Sequence, residues 1–304
     1  MKKVIVTGAN GFVGSAVIRE LIKNDVEVLA LCHKIPENKI ISELITYKEF
    51  ELSKIEELKD IVINDYYDTF YHFAWAGSAG NERANTALQL QNTQWTIDAL
   101  NFAKNIGCKR FVGAGSIIEH ETIIACYTDG NKPGLGYIYG SAKMAAHTIA
   151  MSIAANIGID LIWAEITNAY GAGEISSRLI NTTIRKIINK ENPQFTSGTQ
   201  NYDFVYIDDV ARAFYLIGKN GKPFHSYLIG SGNAKPLKEF LLEMKASIAK
   251  DVDFIFGDVP FTGVNLDLSV FDTKKTEKDT GFKAEISFAE GSKKTYEWLK
   301  KMEK

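Results

Sequence analysis

Residues 2–23 read KKVIVTGANGFVGSAVIRELIK. A short β-branched run ends at Thr7, glycines come next, and apolar residues then recur at helical spacing from Ser15 onward, which predicts a strand, a tight turn and a helix. The turn carries Gly8, Gly11 and Gly14. Glycines at this spacing permit a tight turn, close approach of the backbone to a pyrophosphate and close packing of helix on strand. The segment therefore predicts a dinucleotide-binding βαβ unit, with a purely structural turn as the alternative.

Strand-like and helix-like segments alternate over the first half of the chain. Further strand-like runs lie at residues 26–31, 69–73, 110–114 and 159–166, and helical patterns at residues 88–105 and 142–155 separate them. This alternation predicts parallel βαβ units, and the nearly continuous apolar strands predict helices on both faces of the sheet. We therefore expect an α/β fold with a Rossmann-type doubly wound parallel sheet.

The pattern loosens after about Ala169, where the chain has a glycine-rich turn, a helix near residues 178–189 and polar loops. The apolar run FVYIDDVARAFYLI at residues 204–217 interrupts these loops. We expect residues 1–168 to form the dinucleotide-binding domain and residues 202–232 to return to it. Residues 169–201 and 233–304 then form a smaller C-terminal lobe that binds substrate.

The composition is that of an ordinary globular protein, with 45% hydrophobic and 24% charged residues. Because 35 Lys and Arg face 37 Asp and Glu, no basic excess indicates a nucleic-acid partner. No apolar run is long enough for a membrane span or a signal peptide, so we expect a cytoplasmic protein without a membrane partner. The three cysteines, Cys32, Cys108 and Cys126, lie far apart, and we expect neither a disulfide framework nor a metal site.

Several motifs give the chain a family resemblance. TGANGFVG at residues 7–14 is very similar to the TGxxGFxG signature of the extended short-chain dehydrogenase/reductases, also called the NAD-dependent epimerase/dehydratase family. Further motifs in the family's order are YHFAWAG (71–77), KRFVGAGS (109–116), YGSAK (139–143), ITNAYG (166–171) and DFVYIDDVARA (203–213). The resemblance implies NAD or NADP as cofactor, a nucleotide-activated sugar as substrate and a homodimer built on the helices at residues 88–105 and 142–155.

The resemblance also implies a catalytic set. Tyr139 and Lys143 are four residues apart in a helical stretch and therefore lie on one face. Tyr139 is then the proton carrier, Lys143 lowers its pKa, and Ser116 binds the reacting oxygen. Tyr137 is a rival phenol, but the residue four positions after it is Ser141, which carries no charge to lower a pKa. A structural pair on a helix surface is the alternative interpretation.

The cofactor residues implied by the resemblance are Gly8, Asn10, Gly11, Phe12, Val13, Gly14, Glu51, Leu52, Phe73, Ala74, Trp75, Asn92, Tyr139 and Lys143. For Trp75, simple packing remains an alternative. After the second strand the chain has Cys32, His33 and Lys34, where NAD-preferring relatives present an Asp to the ribose 2′-hydroxyl. His33 and Lys34 would instead meet a 2′-phosphate, or form a solvated turn. We therefore expect NADP, with NAD as the alternative.

On the substrate side, Asn168 matches the family asparagine near the diphosphate, although Ile166 and Thr167 replace the usual Arg-Pro before it. Arg178 and Arg212 are candidate phosphate partners because a guanidinium matches phosphate geometry.

The residues directly after Ser116 indicate the net reaction. The family's sugar dehydratases carry an Asp-Glu pair there, whereas this chain has Ile117 and Ile118, which cannot transfer protons. Residues 119–121, Glu-His-Glu, are expected in a solvated loop; the alternative is that a shift of this loop brings them to the site. The pattern thus favours hydride transfer: a 4-keto-6-deoxy-sugar reductase using NADPH, with a nucleotide-sugar 4-epimerase as alternative. A non-catalytic NADP-binding redox sensor is the alternative of another class, which the Tyr139 and Lys143 pair disfavours.

Overall fold

The computed structural model describes residues 1–62 and 65–303. The strands are β1 (Lys3–Thr7), β2 (Glu27–Cys32), β3 (Ile45–Glu49), β4 (Thr69–His72), β5 (Arg110–Ser116), β6 (Asp160–Ile166), β7 (Asn168–Tyr170), β8 (Gln194–Phe195), β9 (Asn201–Tyr202), β10 (Phe204–Tyr206), β11 (His225–Ile229), β12 (Lys235–Pro236) and β13 (Ile255–Phe256). The α-helices are α1 (Phe12–Lys23), α2 (Lys59–Val62), α3 (Thr86–Asn105), α4 (Ile118–Tyr127), α5 (Tyr137–Ile157), α6 (Leu179–Ile188), α7 (Ile207–Asn220), α8 (Leu237–Ile248), α9 (Lys274–Thr280) and α10 (Phe288–Met302).

Seven of the described strands form one parallel sheet in the order β11-β6-β5-β4-β1-β2-β3. The chain runs outward from β1 through β2 to β3, and β4 then pairs with the other side of β1. This reversal leaves a crevice beyond the carboxyl ends of β1 and β4, where open α/β sheets bind their ligands. The expected Rossmann-type fold is confirmed.

The two faces of the sheet bury different clusters, which explains why its strands are apolar throughout. Val4 and Val6 belong to the cluster on the side of α1 and α7, whereas Ile5 belongs to the cluster that contains Leu100 and Phe102 of α3. All five side chains are fully buried. Because successive residues of a strand point to opposite faces, a sheet covered by helices on both sides leaves no position for a polar side chain here.

The later elements form small strand pairs beside the main sheet. β7 pairs with β10, β9 with β12 and β8 with β13, while α8 packs against α10. β11 returns to the main sheet next to β6. The expected division into residues 1–168 with 202–232, and residues 169–201 with 233–304, stays a prediction. Within residues 1–62 and 65–303, the helices are all too short or too polar to cross a bilayer.

Candidate active site

The glycine turn is held by close backbone contacts. Gly8 has a φ of +68°, and a Cβ added to it would lie 2.7 Å from the backbone nitrogen of Ala74. A Cβ added to Gly14 would lie 2.2 Å from the carbonyl oxygen of Gly8. Helix α1 then starts at Phe12 with Gly11 as its N-cap, and no side chain caps it. Its first backbone N–H groups are therefore available to an anion.

A first cavity of about 790 Å³ opens over this turn. The predicted cofactor residues that line it are Gly8, Asn10, Gly11, Phe12, Val13, Gly14, His33, Glu51, Leu52, Phe73, Ala74 and Trp75. The glycine turn, which a Cβ would obstruct, and the free N-terminus of α1 fit the pyrophosphate of a dinucleotide.

Four predicted cofactor residues lie outside the lining of this cavity: Lys34, Asn92, Tyr139 and Lys143. The side chain of Asn92 is buried and braces the loop after β4: its Oδ1 accepts from the backbone nitrogen of Ala76 and its Nδ2 donates to the Ala76 carbonyl, both at 2.8 Å. Lys34 contributes only its carbonyl, which accepts from Nδ2 of Asn10 at 3.2 Å. Asn92 thus supports the loop after β4. His33 and Lys34 were both expected near a 2′-phosphate, but only His33 lines the cavity.

A second cavity of about 460 Å³ adjoins the first. Ser116, Tyr139 and Asn168 line it, and Glu174 and Arg178 line both cavities. Ser116 is the last residue of β5, and Tyr139 lies in the first turn of α5. The structure therefore brings the predicted serine and tyrosine to one wall of a cavity that adjoins the cofactor crevice.

Lys143 lies one turn beyond Tyr139 and is buried. Its Nζ donates to the carbonyl of Ala114 at 2.9 Å and lies 3.6 Å from the ring centroid of Trp75. Burial lowers the pKa of Lys143 to about 7, and the negative charge of Glu119 acts in the opposite direction. This amine is thus balanced between its charged and neutral forms near neutral pH.

The electrostatics of Tyr139 differ from the expectation. Burial raises the pKa of this phenol, whereas the charges of Arg83 and Arg178 and a hydrogen bond with Ser116 lower it. The expected lowering by Lys143 is therefore not what the structure shows. A buried amine whose pKa is about 7 is only partly charged at neutral pH, whereas Arg83 and Arg178 of the second cavity stay charged and lower the pKa of the phenol.

Sequence reasoning missed Arg83. Its guanidinium carbon lies 4.8 Å from the ring centroid of Tyr139, and the side chain lines the second cavity. Within the described part of the chain its Nε is buried without a hydrogen-bond partner. No signal in the sequence marks Arg83, because it lies in a short polar turn, Gly80–Ala84, outside every motif.

The expectation of a solvated loop at residues 119–121 is wrong, because helix α4 begins at Ile118. The helix turns Glu119 inward, where only 4% of it is exposed. It turns Glu121 into the lining of the second cavity, where burial raises the pKa of this carboxyl to about 7. The second cavity therefore contains a carboxyl group in spite of Ile117 and Ile118.

The arginines expected to bind phosphate separate into two groups. Arg178 lines both cavities at the N-cap of α6, with its Nε 3.8 Å from a carboxylate oxygen of Glu174. Arg212 points elsewhere, because it pairs with Asp209 at 2.7 Å and with Glu285 at 3.1 Å. The prediction that Arg212 contacts substrate is not supported, since its guanidinium joins α7 to the C-terminal segment.

The parallel sheet, the glycine turn at its reversal and the buried tyrosine and lysine beside it define a class of dinucleotide-binding oxidoreductases. The model of the NAD dependent epimerase/dehydratase family matches residues 4–230, and the chain belongs to this family. The predicted family membership is thus confirmed, and the chain is an enzyme of the epimerase/dehydratase type.

Curated relatives are distant. The chain is 25% identical to UDP-glucuronic acid decarboxylase 1 of Arabidopsis thaliana over 82% of its own length and 58% of that protein. It is also 25% identical to CDP-abequose synthase of Salmonella muenchen, over 96% of both chains. The chain thus spans less than two thirds of the first relative and nearly all of the second.

Solved structures share the fold over the whole chain. UDP-glucose 4-epimerase of Thermotoga maritima, solved with UDP-glucose, superposes with a TM-score of 0.83 at 21% identity, over 99% of this chain and 100% of that one. UDP-glucuronic acid 4-epimerase from Bacillus cereus, in complex with NAD, gives a TM-score of 0.79 at 18% identity, over 99% and 100%. At these identities the likeness concerns the fold alone.

Proposed function

We propose that the protein is an NAD(P)-dependent oxidoreductase that transfers hydride at a carbon of a nucleotide-activated sugar, and that its net reaction is the reduction of a 4-keto-6-deoxy sugar. The observation that carries this proposal is the placement of Tyr139 and Ser116 on the wall of a cavity that adjoins the glycine-turn cavity. A carbonyl bound in the second cavity would thus lie beside both a proton donor and a bound nicotinamide.

The glycine turn, Glu51 and Leu52 would hold the dinucleotide, whose nicotinamide supplies the hydride when bound. Tyr139 then donates its phenolic proton to the carbonyl oxygen, and Ser116 donates a hydrogen bond that stabilises the developing alkoxide.

The state of Tyr139 supports reduction over oxidation. Because burial raises the pKa of this phenol, Tyr139 holds its proton at neutral pH, which suits an acid that donates to a ketone. The charges of Arg83 and Arg178 favour the phenolate that remains after the transfer.

The second cavity also contains groups suited to a nucleoside diphosphate. Its lining includes Leu179, Ile180 and Asn181 from the first turn of α6, together with Asn168 and Arg178. A helix N-terminus offers unpaired N–H groups to phosphate, and a guanidinium at the N-cap adds a matching charge. Curated relatives are named for UDP-, CDP- and dTDP-linked sugars, which supports the same substrate class.

For the cofactor we propose NADP over NAD. The end of β2 presents Cys32 and His33 to the first cavity, and no carboxylate of that strand end is there to bind a ribose 2′-hydroxyl. His33 is the residue that would meet the 2′-phosphate, since Lys34 lies outside the cavity lining.

A 4-epimerase is the second candidate. The same serine and tyrosine would serve it, and UDP-glucose 4-epimerase of Thermotoga maritima shares the fold over the full chain. An epimerase returns the hydride to the sugar, so it leaves the cofactor unchanged, whereas a reductase consumes NADPH.

The test is to screen UDP-, dTDP-, CDP- and GDP-sugars by thermal shift and then assay the nucleotides that stabilise the protein. A ligand at a hundred times its Kd raises the free energy of unfolding by about 2.7 kcal/mol. Stoichiometric loss of NADPH with a 4-keto-6-deoxy sugar supports the reductase, and interconversion of C4 epimers without cofactor loss supports the epimerase. Absence of both reactions across the four nucleotide series would contradict the proposal.

A further inference from the structure

Four ionisable side chains form a cluster next to Ser116, and none of them lines the second cavity. We call it the Glu119 cluster, and its members are Glu119, His120, His147 and Glu165. Glu119 and Glu165 are 4% and 8% exposed, so the cluster places two acidic groups inside the protein. Buried charges are retained only where hydrogen bonds and opposite charges satisfy them.

Glu119 is the member that contacts the catalytic strand. Its Oε1 accepts from the backbone nitrogen of Ser116 at 2.9 Å and from Nε1 of Trp163 at 3.1 Å. Its Oε2 lies 3.0 Å from Nδ1 of His147. Since an ionised carboxylate only accepts hydrogen bonds, the proton of this imidazole is on Nδ1. Three donors thus hold the carboxylate at the end of β5.

The other members of the Glu119 cluster hold the carboxylate of Glu119 in place. The ring of His147 stacks on Trp163 with centroids 4.8 Å apart, and its Nε2 lies 3.1 Å from the hydroxyl of Ser226 on β11. Glu165 lies 3.9 Å from His147 and pairs at 2.7 Å with His120, whose side chain is 39% exposed.

The strand itself leaves room for this arrangement. A Cβ added to Gly115 would lie 2.3 Å from Nε1 of Trp163 and 2.8 Å from Oε1 of Glu119. The glycine before the catalytic serine therefore permits the carboxylate to reach the Ser116 backbone.

Glu119 also acts on the proton carriers by its charge. It raises the pKa of Lys143, against the effect of burial, and it raises the pKa of Tyr139. His72 of β4 also interacts with Lys143: burial and the charge of Lys143 lower the pKa of His72 to about 3, so it is neutral at working pH. Glu119 is thus the acidic group that balances Lys143 inside the site.

We propose that Glu119 is a positioning residue for hydride transfer: it fixes Ser116 through the serine backbone, and it supplies the negative charge at the strand end where the amine of Lys143 donates to Ala114. This inference rests on the proposed function for its kinetic consequence, but its electrostatic part concerns the free protein. Nothing in the family resemblance assigns a role to this position.

The test uses Glu119→Gln, which keeps the shape and the Oε1 acceptor while it removes the charge. Glu165→Gln is the matched control, because it removes the other carboxylate of the cluster without touching Ser116. Competitive labelling of the free protein with trace acetic anhydride, read on the Lys143 peptide by mass spectrometry, measures the proton affinity of the amine without any substrate. In Glu119→Gln the labelling midpoint of Lys143 should fall by on the order of one pH unit, and in Glu165→Gln it should stay at the wild-type value.

Turnover is the second readout. A shift of the serine by a fraction of an ångström should lower kcat on the order of tenfold to a hundredfold in Glu119→Asp, which cannot reach the Ser116 nitrogen, with little change in KM. Glu119→Gln keeps the acceptor and should lower kcat less. If Glu119→Gln does not fold, Glu119→Asp replaces it. The shorter side chain keeps the charge but cannot reach the Ser116 nitrogen, so the labelling midpoint should stay while kcat falls.

An unchanged labelling midpoint in Glu119→Gln would overturn the inference, whatever the substrate proves to be. A wild-type kcat in both Glu119 variants would also overturn it. So would stoichiometric metal bound to the purified protein at this cluster, lost in His147→Ala, since the carboxylate would then serve the metal. If wild-type protein turns over no nucleotide sugar but the midpoint shifts, the proposed function fails and the electrostatic inference stands.

Discussion

Replacement of Tyr139 by phenylalanine tests the proposed chemistry most directly. The substitution removes one hydroxyl and leaves the ring, which packs edge-on against Trp75 at 6.0 Å and under the Arg83 guanidinium at 4.8 Å. Binding of cofactor and sugar should therefore survive. The rate of hydride transfer should fall by about a hundredfold to ten-thousandfold, the usual contribution of a positioned acid or base. This corresponds to about 2.7 to 5.4 kcal/mol of lost transition-state stabilisation.

The assay is single-turnover oxidation of NADPH with saturating sugar, so that product release does not mask the chemical step. The matched control is Tyr137→Phe, the same change two residues earlier in α5, on a phenol that lies outside the lining of the second cavity. Protein fluorescence titration should give similar cofactor Kd values for wild type and both variants. If Tyr139→Phe retained most of the wild-type rate, the assignment of Tyr139 as the proton carrier would be refuted. A lower rate in Tyr137→Phe would then identify Tyr137 as the proton carrier.

Four further predictions concern other parts of the molecule. Because the charge of Arg83 lowers the pKa of Tyr139, Arg83→Met should raise this pKa, so the rate of sugar oxidation should rise with pH at a higher midpoint than in wild type. Arg83→Lys should keep the wild-type midpoint, and identical pH–rate profiles for wild type and Arg83→Met would contradict this prediction. Gly14→Ala, whose Cβ would lie 2.2 Å from the Gly8 carbonyl, should lower the free energy of unfolding by about 1 to 3 kcal/mol in urea titrations, whereas Gly134→Ala, with open space around it, should change it little. Wild-type protein should bind NADP more tightly than NAD in titrations, and His33→Asp should reverse the order by charge repulsion; tighter binding of NAD by wild type would count against the proposed cofactor. Sedimentation of the wild-type protein should give about twice the 33.8 kDa chain mass. Leu90→Lys on α3 and Ile149→Lys on α5 should favour the monomer, because these exposed apolar residues lie on the helices expected at the dimer interface. A monomer mass that is independent of concentration in wild type would exclude the homodimer.

The local sequence determined the first strand, the glycine turn and the first helix. These elements depend on interactions between near neighbours, since Gly14 is required by the carbonyl of Gly8 only six residues earlier. The alternation of apolar strands and helical segments likewise indicated the parallel sheet, because a strand that is buried on both faces is apolar at nearly every residue. The same regularity placed Ser116 at a strand end and Tyr139 and Lys143 on one helix.

The surroundings of these residues were decided by the tertiary structure alone. The buried carboxylate of Glu119 accepts a hydrogen bond from Trp163, 44 residues away, and no local sequence pattern indicates that contact. Arg212 leaves the site because Glu285, far along the chain, pairs with it. Burial and charge determine what an ionisable group can do, and both depend on contacts between distant parts of the chain. For that reason the sequence indicated which residues meet at the site, whereas only the fold showed that Lys143 has a pKa of about 7 and that Arg83 stands over the phenol of Tyr139.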